Sequence, residues 1–361
     1  MTETAENDDP GIQVSLLTGF LGSGKTTLLN HLLRHPDMSE TAVLVNEFGD
    51  IGIDHLLVES VDEGMVQLTT GCLCCTVQGD LTRALRELFL KRAKCEITKF
   101  RRVLIETTGL ADPAPILHTL INDPILAHRY FLDGVISTVD AVHGMSQLEQ
   151  HTECRKQTAV ADRIVITKTD MADSTALPAL EDAIRALNPA APIHHAAQGD
   201  VAPSKLFGCG LYDPASKSFD VQNWLREEAY HGEHEEHDQG HDQGHEHHHF
   251  DKNRHGSDIE AFCMVYDEPL EWPAFIAWIQ TLITHKGENL LRIKGIVSII
   301  DEEKPIAIHG VQHVFHNPVR LPDWPSDDRR SRIVFITRGI EPGVIEQSLD
   351  ALQKAAKATA G

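Results

Sequence analysis

Apolar residues fall into two alternating registers over roughly the first half of the chain. Residues 12–18 (IQVSLLT) form a short, nearly continuous apolar run, the pattern of a strand buried on both faces. The run enters GFLGSGKTT at Gly19. Leu28, Leu29, Leu32 and Leu33 then recur at helical spacing until Pro36 closes the helix. Strand-like runs return at 42–45, 103–105, 134–139 and 163–167. Leu81, Ala84, Leu85, Leu88 and Phe89 mark one amphipathic helix, and residues 177–187 another. Strands alternating with helices predict an α/β domain with a mostly parallel sheet covered on both faces.

The pattern breaks near residue 230. Residues 231–255 hold nine of the 22 His among Glu, Asp, Gly and Gln, with nothing to bury, and are expected to be a disordered linker. Beyond it, strands are expected at 259–266, 290–300, 306–315 and 332–337, and helices at 272–283 and 344–355. The organisation predicted is a disordered N-terminus (1–11), an α/β domain (12–230), the His-rich linker (231–255) and a small α+β C-terminal domain (256–361).

Gly19 and Gly24-Lys25-Thr26 fit G-x-x-x-x-G-K-[ST] between a strand and a helix. Glycines let backbone N–H groups close around phosphate oxygens, and the helix directs its positive end at the same anion. Lys25 can reach the β- and γ-phosphates of a nucleoside triphosphate, and the Thr26 hydroxyl can bind Mg²⁺. Thr167-Lys168-Thr169-Asp170 follows a strand, where guanine-binding proteins carry Asn-Lys-x-Asp. An Asp at 170 can accept from guanine N1–H and its 2-amino group, and the Lys168 stem can lie along the base. Thr167 in place of Asn weakens that match. Glu106-Thr-Thr-Gly109 ends a strand at the position of a γ-phosphate sensor, so Glu106 is expected in the Mg²⁺ shell or orienting the attacking water.

Three of the seven Cys, Cys72, Cys74 and Cys75, lie within four positions. Thiolates suit Zn²⁺, Cu⁺ or Co²⁺, and three of them leave a fourth ligand position open, which suits transfer better than storage. A redox pair at the C-x-x-C spacing and inert buried thiols are the alternatives. Glu47 is a further candidate ligand, with Asp50 and His118 behind it. The histidine tract should gather divalent cations weakly, less so below about pH 6. Cys95, Cys154, Cys209 and Cys263 are isolated and taken as structural.

Composition narrows the partners. Lys plus Arg number 32 against 54 Asp plus Glu, a net charge of −22, which argues against nucleic acid. No apolar run approaches the roughly 18–20 residues of a membrane span, and the acidic N-terminus lacks a signal-peptide pattern. A cytoplasmic protein is expected, with cysteines kept for metal or redox chemistry.

Taken together, GFLGSGKTT, VNEFGDIGID, GCLCC, ETTGLADPAPI and TKTD resemble the CobW-type metallochaperone GTPases in order and spacing, and LLRIKGIVSII…IAIHGVQHVF resembles their C-terminal domain. The resemblance implies a P-loop NTPase domain that hydrolyses GTP and carries zinc, or cobalt or nickel (Co²⁺, Ni²⁺), to a client protein. By motif, Gly19, Gly22, Ser23, Gly24, Lys25, Thr26 and Thr27 would hold phosphate and Mg²⁺. Gly109, Lys168 and Asp170 would complete the GTP site, with Lys25, Thr26 and Glu106 as its catalytic set. Cys72, Cys74, Cys75 and Glu47 would hold the Zn²⁺. The partner implied is a metal-dependent client docked on the C-terminal domain. A homodimer is allowed, and no nucleic acid or membrane is expected. The alternative functions are a cobalt or nickel insertion accessory GTPase, a metal buffer with a weakly active nucleotide domain, and a regulatory GTPase whose cysteines sense redox state.

Overall fold

The computed structural model describes residues 11–45, 67–69, 77–173, 175–209 and 259–360. The N-terminus to residue 10, the linker 231–255 and the candidate ligands Glu47, Cys72, Cys74 and Cys75 lie outside the described residues. Seven strands form the first sheet: β1 (Ile12–Gly19), β2 (Thr41–Val45), β3 (Gln67–Thr69), β4 (Arg102–Glu106), β5 (Tyr130–Asp140), β6 (Arg163–Thr167) and β7 (Ile193–Ala196). Their order is β3-β2-β4-β1-β5-β6-β7, and every pairing is parallel. The helices are α1 (Lys25–Leu33), α2 (Val77–Ala93), α3 (Ala114–Asn122), α4 (Gly144–Gln150), α5 (Thr152–Ala159) and α6 (Ala176–Leu187).

The two-faced burial follows from strand alternation. Val43, Leu104, Ile136 and Val165 face α1 and its leucines, whereas Ala42, Leu44, Val103, Ile105, Val135, Val139, Ile164 and Ile166 face the opposite layer. β1 lies centrally between β4 and β5. A parallel sheet brings all its carboxyl ends to one edge, so the loops after β1, β4 and β6 share a crevice there.

The second sheet is antiparallel, in the order β11-β10-β9-β13-β8, with β12 also paired to β10. It comprises β8 (Ile259–Tyr266), β9 (Leu290–Val297), β10 (Ile306–Val311), β11 (Val314–Phe315), β12 (Val319–Arg320) and β13 (Ser331–Arg338). The helices α7 (Trp272–Lys286) and α8 (Pro342–Ala360) cover one face, joined where Trp278 Nε1 donates to Ser348 Oγ at 2.8 Å. One expectation is corrected. Residues 306–315 are not one strand but a hairpin that turns at Gln312, whose φ of 51° is left-handed. The expected strand 290–300 likewise ends at Val297.

The other face of this sheet packs on the first domain. Ile259, Leu291, Val311 and Ile336 are buried in the same cluster as the apolar residues of α3, α5 and α6. Each such side chain contributes about 1.5–3 kcal/mol when withdrawn from water. At the centre of the contact, Asp162 accepts from Arg292 Nη2 and Lys294 Nζ, and Arg292 Nη1 donates to the Val160 carbonyl. Burial opposes the Asp162 charge, but the two cations outweigh it and hold its carboxyl well below the usual range. Beside them His309 and His316 stack with ring centroids 4.5 Å apart.

Burial, reinforced by Arg292 close by, pulls His316 down to about 4 and also holds His309 well below its ordinary value; Lys294 adds to both and Asp162 opposes. The unfolded chain takes up protons near pH 6.5, whereas these folded rings stay neutral, so their contribution is whole above about pH 6.5 and lost towards pH 4. His316→Phe, which keeps the stack, is expected to flatten the fall in Tm across that window. A Tm-against-pH slope equal to wild type would contradict this. Asp162→Asn leaves two buried cations without their counter-charge and should cost about 3–5 kcal/mol in denaturant unfolding.

Candidate functional site

The loop after β1 turns through Gly19, Gly22 and Gly24, with φ of 141°, 71° and 85°. Gly24 is the N-cap of α1, and its left-handed φ would strain any residue with a Cβ. No side chain caps α1 and its first turn carries no acid, so its leading N–H groups and positive dipole end are left for an anion. Ser23 is fully buried, its hydroxyl 2.6 Å from that of Thr138 on β5. Thr27 is exposed.

Lys25 is buried, and its Nζ donates to the carbonyls of Gly19 (2.9 Å) and Phe20 (3.1 Å). Burial lowers its pKa, while the nearby Glu106 carboxylate supports the charged form. An ammonium held in that way over an uncapped helix end forms a strong attraction for phosphate. Thr26 Oγ1 donates to Glu106 Oε1 at 2.9 Å, so the hydroxyl and carboxylate expected near Mg²⁺ already meet. Two hard oxygen donors next to a phosphate cradle fit that ion's preference.

After Glu106 the chain stays close to β1. Thr107 N donates to the Leu17 carbonyl (2.9 Å) and Thr107 Oγ1 to Thr18 Oγ1 (3.0 Å). Gly109 lies against the phosphate loop: a Cβ there would sit 2.6 Å from Leu21 N, so only glycine permits the approach. The loop after Glu106 and the phosphate loop are therefore in contact.

Thr167 ends β6, and its Oγ1 donates to the Ser23 carbonyl at 2.7 Å. That bond ties the 167–170 loop to the phosphate loop without the Asn that the stronger guanine pattern carries. Lys168 has a left-handed φ of 55° and its Nζ donates to Asp140 Oδ2 at 2.6 Å. Burial works against the Asp140 charge, but Lys168 and the backbone N–H groups of Val142 and His143 keep its carboxyl below the usual value. Asp170 is exposed, and Gln198 Nε2 donates to its Oδ2 at 2.9 Å. The structure thus gathers the sequence-predicted set Gly19–Thr27, Glu106, Gly109, Lys168 and Asp170 at one edge of the sheet. His118 is half-buried on α3, and the candidate ligands it was grouped with, Glu47, Asp50, Cys72, Cys74 and Cys75, lie outside the described residues.

Asp140, Gln157 and Gln198 were not anticipated. They belong to no motif, and each acts by meeting a residue far away in sequence. Val45 is the register partner of both Glu106 and Thr69, so β2, which precedes Glu47, ends beside Glu106, and β3, which precedes Cys72, ends level with it one strand further out.

Comparison with known proteins agrees with this geometry. Residues 13–195 match the CobW/HypB/UreG nucleotide-binding domain, and residues 259–353 match the cobalamin synthesis protein cobW C-terminal domain. The chain is 33% identical over 343 residues to the zinc chaperone YjiA of Escherichia coli, spanning 95% of this chain and 99% of that protein. It is 35% identical over 187 residues to the zinc-regulated GTPase metalloprotein activator 1 of Schizosaccharomyces pombe, spanning 50% of this chain and 44% of that protein. The crystal structure of Zn(II)-bound YjiA GTPase from Escherichia coli superposes with a TM-score of 0.68 at 29% identity, covering 95% of this chain and 99% of that one. A nucleotide-binding domain followed by its paired C-terminal domain, over nearly the whole length of a relative at one-third identity, establishes that the chain belongs to the CobW family.

Proposed function

We propose that this protein is a cytosolic zinc metallochaperone that uses GTP binding and hydrolysis to load Zn²⁺ and release it to a client protein. The observation that carries the reading is the buried Lys25 ammonium beside the Thr26–Glu106 pair, at the sheet edge from which the chain continues towards Glu47 and the Cys72-Leu-Cys74-Cys75 motif. The similarity to a zinc chaperone and to a zinc-regulated GTPase activator points the same way. No helix among the described residues is long and apolar enough to cross a membrane.

In this reading Gly19–Thr27 grip the β- and γ-phosphates and Lys25 binds their charge. Thr26 and Glu106 would hold Mg²⁺, which would supply charge neutralisation at the phosphates. Asp170 reads the guanine edge, with Gln198 keeping its carboxylate in place. Cys72, Cys74, Cys75 and Glu47 hold the transported Zn²⁺ as cargo. Loss of the γ-phosphate changes the loops that begin beside Glu106, and the resulting difference in zinc affinity between the GTP and GDP states drives transfer. The C-terminal domain receives the client, and the tract 231–255 gathers metal. No arginine finger is supplied in the motif set, so turnover of the isolated protein is slow.

Lys25→Ala is expected to weaken GTP binding by about 10–100-fold, the worth of a charge-assisted contact, and to abolish hydrolysis. Isothermal titration and phosphate release check this. Zinc competition titrations should give an affinity at least about tenfold higher with Mg²⁺ and a non-hydrolysable GTP analogue than with GDP. Equal affinities would eliminate the transfer mechanism. Cys→Ser substitution at 72, 74 and 75 together should remove the nucleotide-dependent zinc while leaving GTP binding within about twofold.

A further inference from the structure

The loop that leaves Glu106 reaches the C-terminal domain within a few residues. Gln157 on α5 is almost fully buried, and its Nε2 donates to the carbonyls of both Gly109 (3.1 Å) and Ala111 (3.0 Å). Among the described residues its buried Oε1 has no hydrogen-bond partner, and neither has Thr108 Oγ1 in the loop itself. Three residues beyond Gly109, Asp112 Oδ1 accepts from Ala114 N (3.0 Å) at the start of α3. Asp112 Oδ2 accepts from Lys156 Nζ (3.1 Å) and from Gln312 Nε2 (3.2 Å). Gln312 is the left-handed turn of the β10–β11 hairpin, fixed by its own N–H donating to the Leu290 carbonyl at 2.8 Å. α3, whose first residue Ala114 donates its N–H to Asp112, packs against β11.

We infer that Gln157 is a positioning residue for the γ-phosphate-sensing loop, and that the Asp112–Gln312 contact carries the nucleotide state from that loop to the C-terminal hairpin. The inference rests on the GTPase reading above and adds the route by which the nucleotide reaches the client-docking domain. Orphaned buried polar atoms are costly. Gln157 Oε1 and Thr108 Oγ1 mark the loop as having a second arrangement, in which a backbone N–H turns to Oε1. The Gly109 backbone is in contact with Leu21 of the phosphate loop, so a change in that loop reaches Gly109 directly. Asp112 lies three residues from Gly109 and accepts from both Lys156 and Gln312, so a shift of the loop backbone reaches the hairpin through that carboxylate. Glycine at 109 supplies the freedom for such a shift. By linkage, a client that pulls on the hairpin must change the relative affinity for GTP and GDP by the same factor.

Hydrogen–deuterium exchange of the full-length wild-type chain with GDP, or with Mg²⁺ and a non-hydrolysable GTP analogue, reads the coupling without any substitution. Amides 306–316 are expected to exchange several-fold faster with the analogue. Gln312→Ala should remove that difference and shift the ratio of GDP to analogue Kd by about fivefold or more. Gln157→Glu keeps the shape but loses both donors, and is expected to lower kcat about tenfold with KM within about twofold, a split that general destabilisation would not produce. Identical hairpin exchange in the two nucleotide states overturns the inference, as does an unchanged Kd ratio in Gln312→Ala. Failure of the wild-type chain to bind the analogue would instead overturn the GTPase reading itself.

Discussion

The site is organised around a buried cation held between backbone carbonyls, with one carboxylate close by. Lys25 Nζ sits between two carbonyls, with Glu106 as the neighbouring carboxylate, at the head of a helix with no capping side chain. Carbonyl dipoles hold an ammonium in place but do not cancel its charge, and the helix end adds to the positive potential. A phosphate completes the arrangement. The surrounding contacts keep this centre stiff. Ser23 meets β5 through Thr138 and receives Thr167 from β6, and Thr26 meets Glu106 at the end of β4. Three strand ends therefore converge on one short loop, which is possible because β1 is central and every strand of the sheet runs the same way.

The C-terminal domain is part of this construction. Its sheet buries one face under α7 and α8 and the other against α3, α5 and α6, so it has the two covered faces of an internal layer. The Asp162–Arg292–Lys294 cluster fixes the register of the contact, because a buried carboxylate tolerates only the arrangement in which both cations reach it. That docking places the β10–β11 turn over the loop that follows Glu106. A hinge of few contacts would have left the two domains independent; this interface gives them a shared hydrogen-bonded loop.

Much of the architecture was legible in the chain. The apolar run at 12–18 and the leucines after Lys25 correspond to β1 and α1, and the strands at 163–167 and 259–266 coincide with β6 and β8. These elements are buried on a whole face, so their periodicity is strong. The hairpin at Gln312 leaves little trace in the sequence, because apolar residues resume at Val314 two positions after it and Gln is not a residue that signals a left-handed turn. The short β3 and β7 carry too few residues for a period to register.

The sequence by itself determined the chemistry of each end of the site. A glycine-rich loop with Lys25 and Thr26, a strand ending in Glu106 and a tetrapeptide ending in Asp170 are local patterns, and local patterns survive in a linear string. Only the tertiary structure decided how these parts hold one another. Thr167 does its work on a carbonyl 144 residues away, and Gln312 meets Asp112 across 200 residues. Such pairs have no spacing to recognise. They are chosen by the packing of two sheets, which is a property of the whole folded chain and not of any segment of it.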